Sequence, residues 1–491
     1  MTDFLRFWWS LLRWNTSKTL FLLRGRKGRA PCQHPSDSGR AGVTGCEACN
    51  NWRRPSRFRL VCPLLVRNEA GWRCSVDAAR VRPFWGRAIV FGALGAGGVY
   101  LAAALAALLT FRAVGYSTLE YRDFFSTAFR TRFREAQAGY YANRADEYFK
   151  AGDYRGGLLA LSVAYNKNPR DWATGLTLAR LLQRSNQPRI GDDVFEKLLG
   201  DFPDRAEEVS AVWSEALLFR ADWLRLGRLA AVRVAAGGPS RGAWMRTLVF
   251  ALRMLPDAQA NVGFAECRPL LGGAYPGVLE AEIALREKDM ARARSIVAGL
   301  PAMSDPYLAQ YAVEFAIDTG DLAAASIAAA ALEQTLGTFF HNLYSARIAA
   351  DLGQPSVAAL SFGNLLGPPV TLEKLDFACA EILRRPASDR LQVALDAFAS
   401  SPEARARPEY VMALVAAAAA TGDKDGLERL YEASVALDGT TIARLRLLAD
   451  AIAGKTSEIS PTGILTGYPF PRETMLALID WFEKQRQTPV P

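Results

Sequence analysis

One stretch of this chain, Ala88 to Thr110, carries no charge over 23 residues, and the pattern of apolar and polar positions differs on its two sides. About 20 consecutive apolar residues, each rising 1.5 Å, cross the hydrocarbon core of a bilayer. The stretch therefore predicts one transmembrane helix, with Arg87 and Arg112 just outside it. Ahead of it, FLRFWWSLLRWNTSKTLFLL mixes Trp8, Trp9, Trp14 and several Leu with Arg6, Arg13 and Lys18. That segment is too polar to span but suits a helix lying at the headgroup interface, or one packed on the segment that follows. Behind the span, Phe111 to Glu135 predicts a juxtamembrane helix. From residue 136 onward, apolar-rich segments of helical length are divided by breakers at Gly152, Asn186, Gly227, Pro256, Lys288, Gly320, Gly353, Pro386 and Gly422. Their mean interval is about 34 residues, a period typical of helical repeats.

This divides the chain into an amphipathic segment (1–30), a cysteine-rich segment (31–87), the span (88–110), a juxtamembrane helix (111–135), a repeat body (136–455) and a loop with a closing helix (456–491). With 87 residues ahead of it, the span is expected to stay uncleaved, since signal peptides lie within the first 15–30 residues or so. Gly92 and Ala96, Ala93 and Gly97, and Ala103 and Ala107 are small pairs four apart that would admit a second helix, so a homo-oligomer is one expectation.

In the first repeat unit, Tyr141, Ala145 and Tyr148 precede Gly152 and Tyr154, and Gly157, Leu161, Ala164 and Pro169 follow. These spacings resemble the tetratricopeptide-repeat (TPR) family, with Arg144 standing where that family usually has Leu. The next unit keeps Ala179, Leu182, Phe195 and Pro203. Later units keep small residues where helices approach and larger ones between units. The resemblance implies a mainly α fold, a TPR-like α-solenoid of helix hairpins whose first helices line a groove for protein or peptide partners. Carried over by position, Tyr141, Asn143, Asp146 and Lys150 would face that groove. Gly320, Gly353 and Gly422 are placed for the left-handed turn that ends a helix. Intervals of 41 and 29 residues around Gly227 and Pro256 suggest irregularity there. Pro239 to Gly242 and the segment around Gly272 and Gly273 read as loops. Trp481 and Phe482, on a last helix from Thr474 to Lys484, would cover the end of the array.

Charge sets the expected topology. Of the net +9, residues 1–87 hold 17 Lys and Arg against 5 Asp and Glu, so the excess belongs to the head. Positive charge resists translocation, which predicts a single-pass inner-membrane protein with a cytoplasmic N-terminus and a periplasmic repeat body. Arg53, Arg54, Arg57 and Arg59 beside Trp52 and Phe58 could hold nucleic-acid phosphates and bases. The same arginines are expected beside any anchor, where they meet anionic lipid, and this second reading is preferred.

Cys32, Cys46, Cys49, Cys62 and Cys74 cluster with His34 in the head. Cys46 and Cys49 form a C-x2-C knuckle that presents two thiolates to a tetrahedral ion, and two more ligands would come from Cys32, His34, Cys62 and Cys74. A structural zinc would supply folding energy to a segment too small for its own core. Disulfides, an iron–sulfur cluster and a redox pair remain alternatives, and the compartment decides among them. Around Asn68 to Gly71 the segment predicts a short hairpin.

Motifs for nucleotide loops and metalloproteases are absent from the sequence, and two histidines leave little for His-based catalysis. His341 is expected to be a packed helix residue, Cys267 and Cys379 small buried apolar ones, and Asp192, Asp193, Glu207 and Glu208 solvated helix faces. A non-catalytic, membrane-anchored scaffold for protein partners follows as the expected function. The alternative is a tethered metal- or redox-responsive head that binds nucleic acid or signals.

Overall fold

The computed structural model describes residues 2–27, 54–62, 65–69, 71–74, 83–185, 187–302, 305–438, 442–456, 463–465 and 468–487, in two compact units, Met1–Pro169 and Arg170–Pro491. The first holds α1 (Thr2–Leu23), the hairpin strands β1 (Leu65–Asn68) and β2 (Gly71–Cys74), α2 (Trp85–Val114), α3 (Phe129–Lys150) and α4 (Tyr154–Lys167).

In α1 the inner face buries Phe7 and Leu11 against Val61, Cys62, Leu65 and Ala88, while Leu5, Trp9, Leu12, Leu20 and Leu23 stay exposed on the outer face. Two bonds fix its register on α2: the Phe84 amide donates to Asn15 Oδ1 at 2.9 Å, and Trp85 Nε1 donates to Thr19 Oγ1 at 2.9 Å. The helix is thus packed on the head and on α2 along one face. Trp8 lies against Gly92, 3.8 Å from where a Cβ would stand, so the chain's own α1 takes the place at Gly92, one of the three small pairs, while a Cβ at Gly97 would meet nothing within 4 Å.

The span is longer than its uncharged core. Among the described residues α2 is the one helix long and apolar enough to cross a membrane, and its Ile89, Val90, Leu94, Val99, Leu105 and Leu109 are exposed. The expected juxtamembrane helix is instead broken. α2 stops at Gly115, whose φ of 115° lies in a region that favours glycine, and a 3-10 turn, Tyr121–Phe125, precedes α3. That turn folds back on α2, with Tyr121 Oη donating to the Leu101 carbonyl and Tyr100 Oη to that of Phe124. A Cβ at Gly115 would also stand 2.9 Å from the Tyr140 ring. Gly115→Ala is expected to cost roughly 1–3 kcal/mol, read as earlier proteolytic cleavage between α2 and α3. Cleavage at the wild-type rate would contradict this.

The second unit is an array of hairpins: α5 (Trp172–Arg184) with α6 (Pro188–Asp201), α7 (Ala206–Phe219) with α8 (Trp223–Ala236), α9 (Arg241–Met254) with α10 (Asp257–Cys267), and α11 (Pro276–Arg286) with α12 (Met290–Ala298). It continues with α13 (Pro306–Asp318) and α14 (Leu322–Leu336), α15 (Thr338–Asp351) and α16 (Pro355–Leu365), α17 (Leu372–Arg384) and α18 (Ser388–Ser400). The short α19 (Pro402–Arg405), then α20 (Pro408–Thr421), α21 (Lys424–Asp438), α22 (Ile442–Ile452) and α23 (Arg472–Gln487) complete it.

One local device repeats through both units. At Gly152, Ala221, Lys288, Gly320, Gly353 and Gly422 the chain turns left-handed, with φ between 54° and 79°. Each turn residue's N–H bonds the carbonyl three back and the next N–H the carbonyl five back, as in Asp153 to Tyr148 and Asp222 to Leu217. An aspartate usually follows, and Asp153, Asp222, Asp289, Asp321 and Asp423 each accept an amide of the next helix. Three of these turns are the glycines expected from sequence. The breaker assigned to Gly227 is instead Ala221, and Gly227 lies buried inside α8 with Cys267 Sγ 3.6 Å from a would-be Cβ. With the turn at Ala221, which lies 35 residues from both Asn186 and Pro256, the apparent irregularity disappears. The loop read at Pro239 to Gly242 ends sooner, because Arg241 and Gly242 already belong to α9.

Candidate functional site

First helices of successive hairpins carry a ladder of paired polar side chains, buried at Glu282, Tyr311, Tyr344, Arg347 and Glu381 and exposed at Arg253 and Asp318. Arg253 on α9 donates through Nε and Nη2 to Glu282 on α11, both at 2.8 Å, and through Nη1 to Asp318 on α13 at 2.6 Å. Tyr311 on α13 donates to the same Glu282 at 2.9 Å, and Tyr344 on α15 to Glu314 on α13 at 2.7 Å. Arg347 on α15 then donates to Glu381 on α17 at 2.6 Å, and Arg384 adds a second bond at 3.2 Å. Rungs between neighbouring first helices lie 29 to 34 residues apart in sequence, and Arg253 to Asp318, which skips one hairpin, lies 65 apart, so the repeat period becomes a set of lateral contacts.

Burial and pairing oppose each other along the ladder. Burial works against the charge of Arg347 and Arg246, yet the carboxylates of Glu381 and Glu473 hold both guanidiniums above their ordinary range. Burial likewise raises Glu381 and Glu473, but the arginines outweigh it and both carboxyls fall below theirs. Tyr311 and Tyr344 are pushed up by burial and then by Glu282 and Glu314.

Beside the ladder is a cleft of about 500 Å³ whose walls include Arg253, Glu314, Arg347, Arg384, Glu473 and Lys484. One wall is α23, which was expected to cover the end of the array. Its C-terminal half does so, with Trp481 Nε1 donating to the Ile452 carbonyl at 3.3 Å. Its first turn, however, reaches far back in the chain. Asp376 on α17 accepts from the Glu473 amide at 3.0 Å, and from the Thr474 amide and hydroxyl at 2.8 Å each. Glu473 accepts two bonds from Arg246 on α9, and the Arg472 guanidinium lies 4.2 Å above the Trp244 ring. Asp376 is thus the N-cap of a helix 97 residues away. Every guanidinium named in the ladder is held by a carboxylate.

The residues proposed from sequence lie elsewhere. Asn143, Asp146 and Lys150 are exposed on α3 at spacings that share one helix face, and Tyr141 is half-buried with its ring edge-on to Tyr140. All four belong to the first unit, and none lines the cleft. In the head, Cys32, His34, Cys46 and Cys49 lie outside the described residues. The strand register pairs Leu65 with Cys74, which brings Cys74 to the hairpin end from which Cys62 leads, while Cys62 itself is buried beside Phe7 and Leu11. Among the described residues no three potential ligands are grouped around a metal-sized site.

One helix-face reading is corrected, that of Asp192, while Glu207 keeps 45% of its side chain exposed even though it is paired. Asp192 is 2% exposed and accepts from Gln183, Trp213, Arg220 and Arg225. Glu207 accepts from Trp244 and Arg233, and although burial opposes it, these bonds bring its carboxyl below the usual range. Cys267 and Cys379 are buried as expected, and burial pushes the Cys267 thiol up to about 12. His341 packs in α15 with Nδ1 3.1 Å from the Ala329 carbonyl. Sequence did carry a signal for the ladder: Glu282, Glu314, Arg347 and Glu381 recur at 32, 33 and 34 residues on the first helices.

No family model and no curated protein matches the sequence. Among solved structures the chain is similar to one described as the crystal structure of the P58(IPK) TPR domain, at 11% identity over 72% of this chain and 99% of that chain, with a TM-score of 0.18. At that score the likeness carries no weight, and the hairpin array rests on the chain's own geometry.

Proposed function

We propose that the protein is a membrane-anchored TPR-like scaffold that binds protein partners through its hairpin array and does no catalysis. The observation that carries the reading is α2, an exposed apolar helix of 30 residues ahead of an array of helix hairpins. A helix this long exceeds the roughly 20 residues that cross a bilayer, which leaves its ends for the interfaces. The positive excess of residues 1–87 favours a cytoplasmic head and an array on the far side of the inner membrane, in the periplasm. On the first unit, Asn143, Asp146 and Lys150 offer one exposed face to a peptide. The hairpin register that brings Cys74 and Cys62 to one end is compatible with a structural zinc in the head, held by four of Cys32, His34, Cys46, Cys49, Cys62 and Cys74.

Topology and partners are tested together. A reporter active only outside the cytoplasm is fused after Pro491 or after Arg87, and the full chain is then used as bait in membranes. The expected result is an active C-terminal fusion, a silent Arg87 fusion, and reproducible capture of envelope proteins. An active Arg87 fusion with a silent C-terminus would overturn the orientation, and capture of nothing would overturn the scaffold.

A further inference from the structure

Helix α23 stands outside the hairpin pattern. The repeating turns end near Gly454, and residues 468–471 are neither helix nor strand before Arg472 opens the helix. The polar contacts of α23 fall mostly on its first turn, with Trp481 and Gln485 adding bonds to the Ile452 carbonyl further along. Glu473 and Thr474 present two amides and a hydroxyl to Asp376, the Glu473 carboxylate meets Arg246, and Arg472 stacks on Trp244. Met475, Leu476, Leu478 and Ile479 follow as a buried apolar stretch. This is how a groove reads an amphipathic helix, with apolar anchors for affinity and a buried polar pair for register. The seat is also larger than its occupant, because the 500 Å³ cleft continues alongside Leu476, Asp480 and Lys484.

We propose that α23 is the resident ligand of a helix-receiving seat on the first helices of the array, and that a partner takes this seat by offering an amphipathic helix of the same chemistry. That chemistry is an acidic and hydroxyl first turn followed by an apolar face. The proposal rests on the scaffold reading and names the surface and ligand class it would use. Tyr468 keeps the preceding stretch tied to α22 through the Arg444 carbonyl, at 2.9 Å, so a displaced α23 remains at high local concentration and competes strongly. The unmodified chain therefore binds a free helix weakly.

The test uses the full chain in detergent micelles and a fluorescent peptide of residues 470–487, followed by anisotropy. Weakening the resident helix with Glu473→Ala and Thr474→Ala is expected to tighten peptide binding at least 10-fold, and adding Arg246→Met or Asp376→Asn on the receiving side is expected to cancel most of that gain. Three results would overturn the proposal: no gain in the resident-side variant, a gain that survives both receiving-side changes, or loss of the cooperative melt in the resident-side variant, which would make α23 part of the array's own core. A chain that exchanges the peptide as expected but captures no envelope protein would sink the scaffold reading alone.

Discussion

Raising the pH from about 4 to about 8 is expected to remove stability that Asp376 contributes to the second unit, and Asp376→Asn is expected to abolish that loss. Burial and then the neighbouring Glu473 carboxylate push the Asp376 carboxyl from 3.8 up to about 7, in spite of the three donors it accepts. Because the folded chain holds this proton more tightly than the unfolded one, the contribution is fully present below pH 4 and is lost as pH rises through about 7. The amplitude is on the order of 3–4 kcal/mol. Cys379 and Tyr410, which also face Asp376, are raised by burial and stay protonated throughout, and Arg246 stays charged. Glu473 and Glu381 act in the opposite window. Their lowered carboxyls contribute above about 4.5 and lose that contribution only as pH falls further. Chemical denaturation of the wild type and Asp376→Asn at several pH values should therefore give a stability difference that changes steadily between pH 4 and 7. A pH-independent difference would show that the carboxylate is accommodated by its donors alone.

Glu381→Ala is expected to be among the most damaging single changes in the array, at roughly 3–5 kcal/mol. Glu381 is 1% exposed and receives Arg347, itself 9% exposed in its side chain, together with Arg384. Removing the carboxylate leaves the Arg347 guanidinium buried beside the Tyr344 ring with only Glu314, 3.9 Å away, as a counter-charge. Removing both charges is a different matter. A chain with Glu381→Leu and Arg347→Met replaces the pair with apolar groups of similar volume and should fall within about 1 kcal/mol of the wild type. Denaturation midpoints of the two singles and the double give the coupling directly, and a mild Glu381→Ala phenotype would mean that the ladder is more hydrated than its burial implies.

The ladder and the α23 seat differ in how they are encoded. Charged residues near the middle of first helices recur at one repeat length, so the ladder is periodic in the sequence even though its chemistry reads there as ordinary helix surface. The same pattern-blindness turned Asp192 into a supposed solvated residue, because nothing near it in sequence reveals that Trp213, Arg220 and Arg225 converge on it. Ala221 shows the complementary case. A left-handed turn is costly for alanine and so carries no glycine to announce it, yet the aspartate that follows, Asp222, caps the next helix just as Asp153 and Asp321 do.

Sequence alone determined the membrane-length helix, the hairpin period, the glycine turns at 320, 353 and 422, and the short strand pair in the head. Each of these is written in consecutive residues or at a fixed interval, where helix length, backbone freedom and apolar content act locally. Tertiary structure alone decided that the Gly92 seat receives Trp8, that the turn after Gly115 folds back on α2, and that α23 is capped by Asp376 and paired with Arg246. Those outcomes join residues up to 227 positions apart. They depend on which buried charges and faces the packing brings together, which no local propensity records.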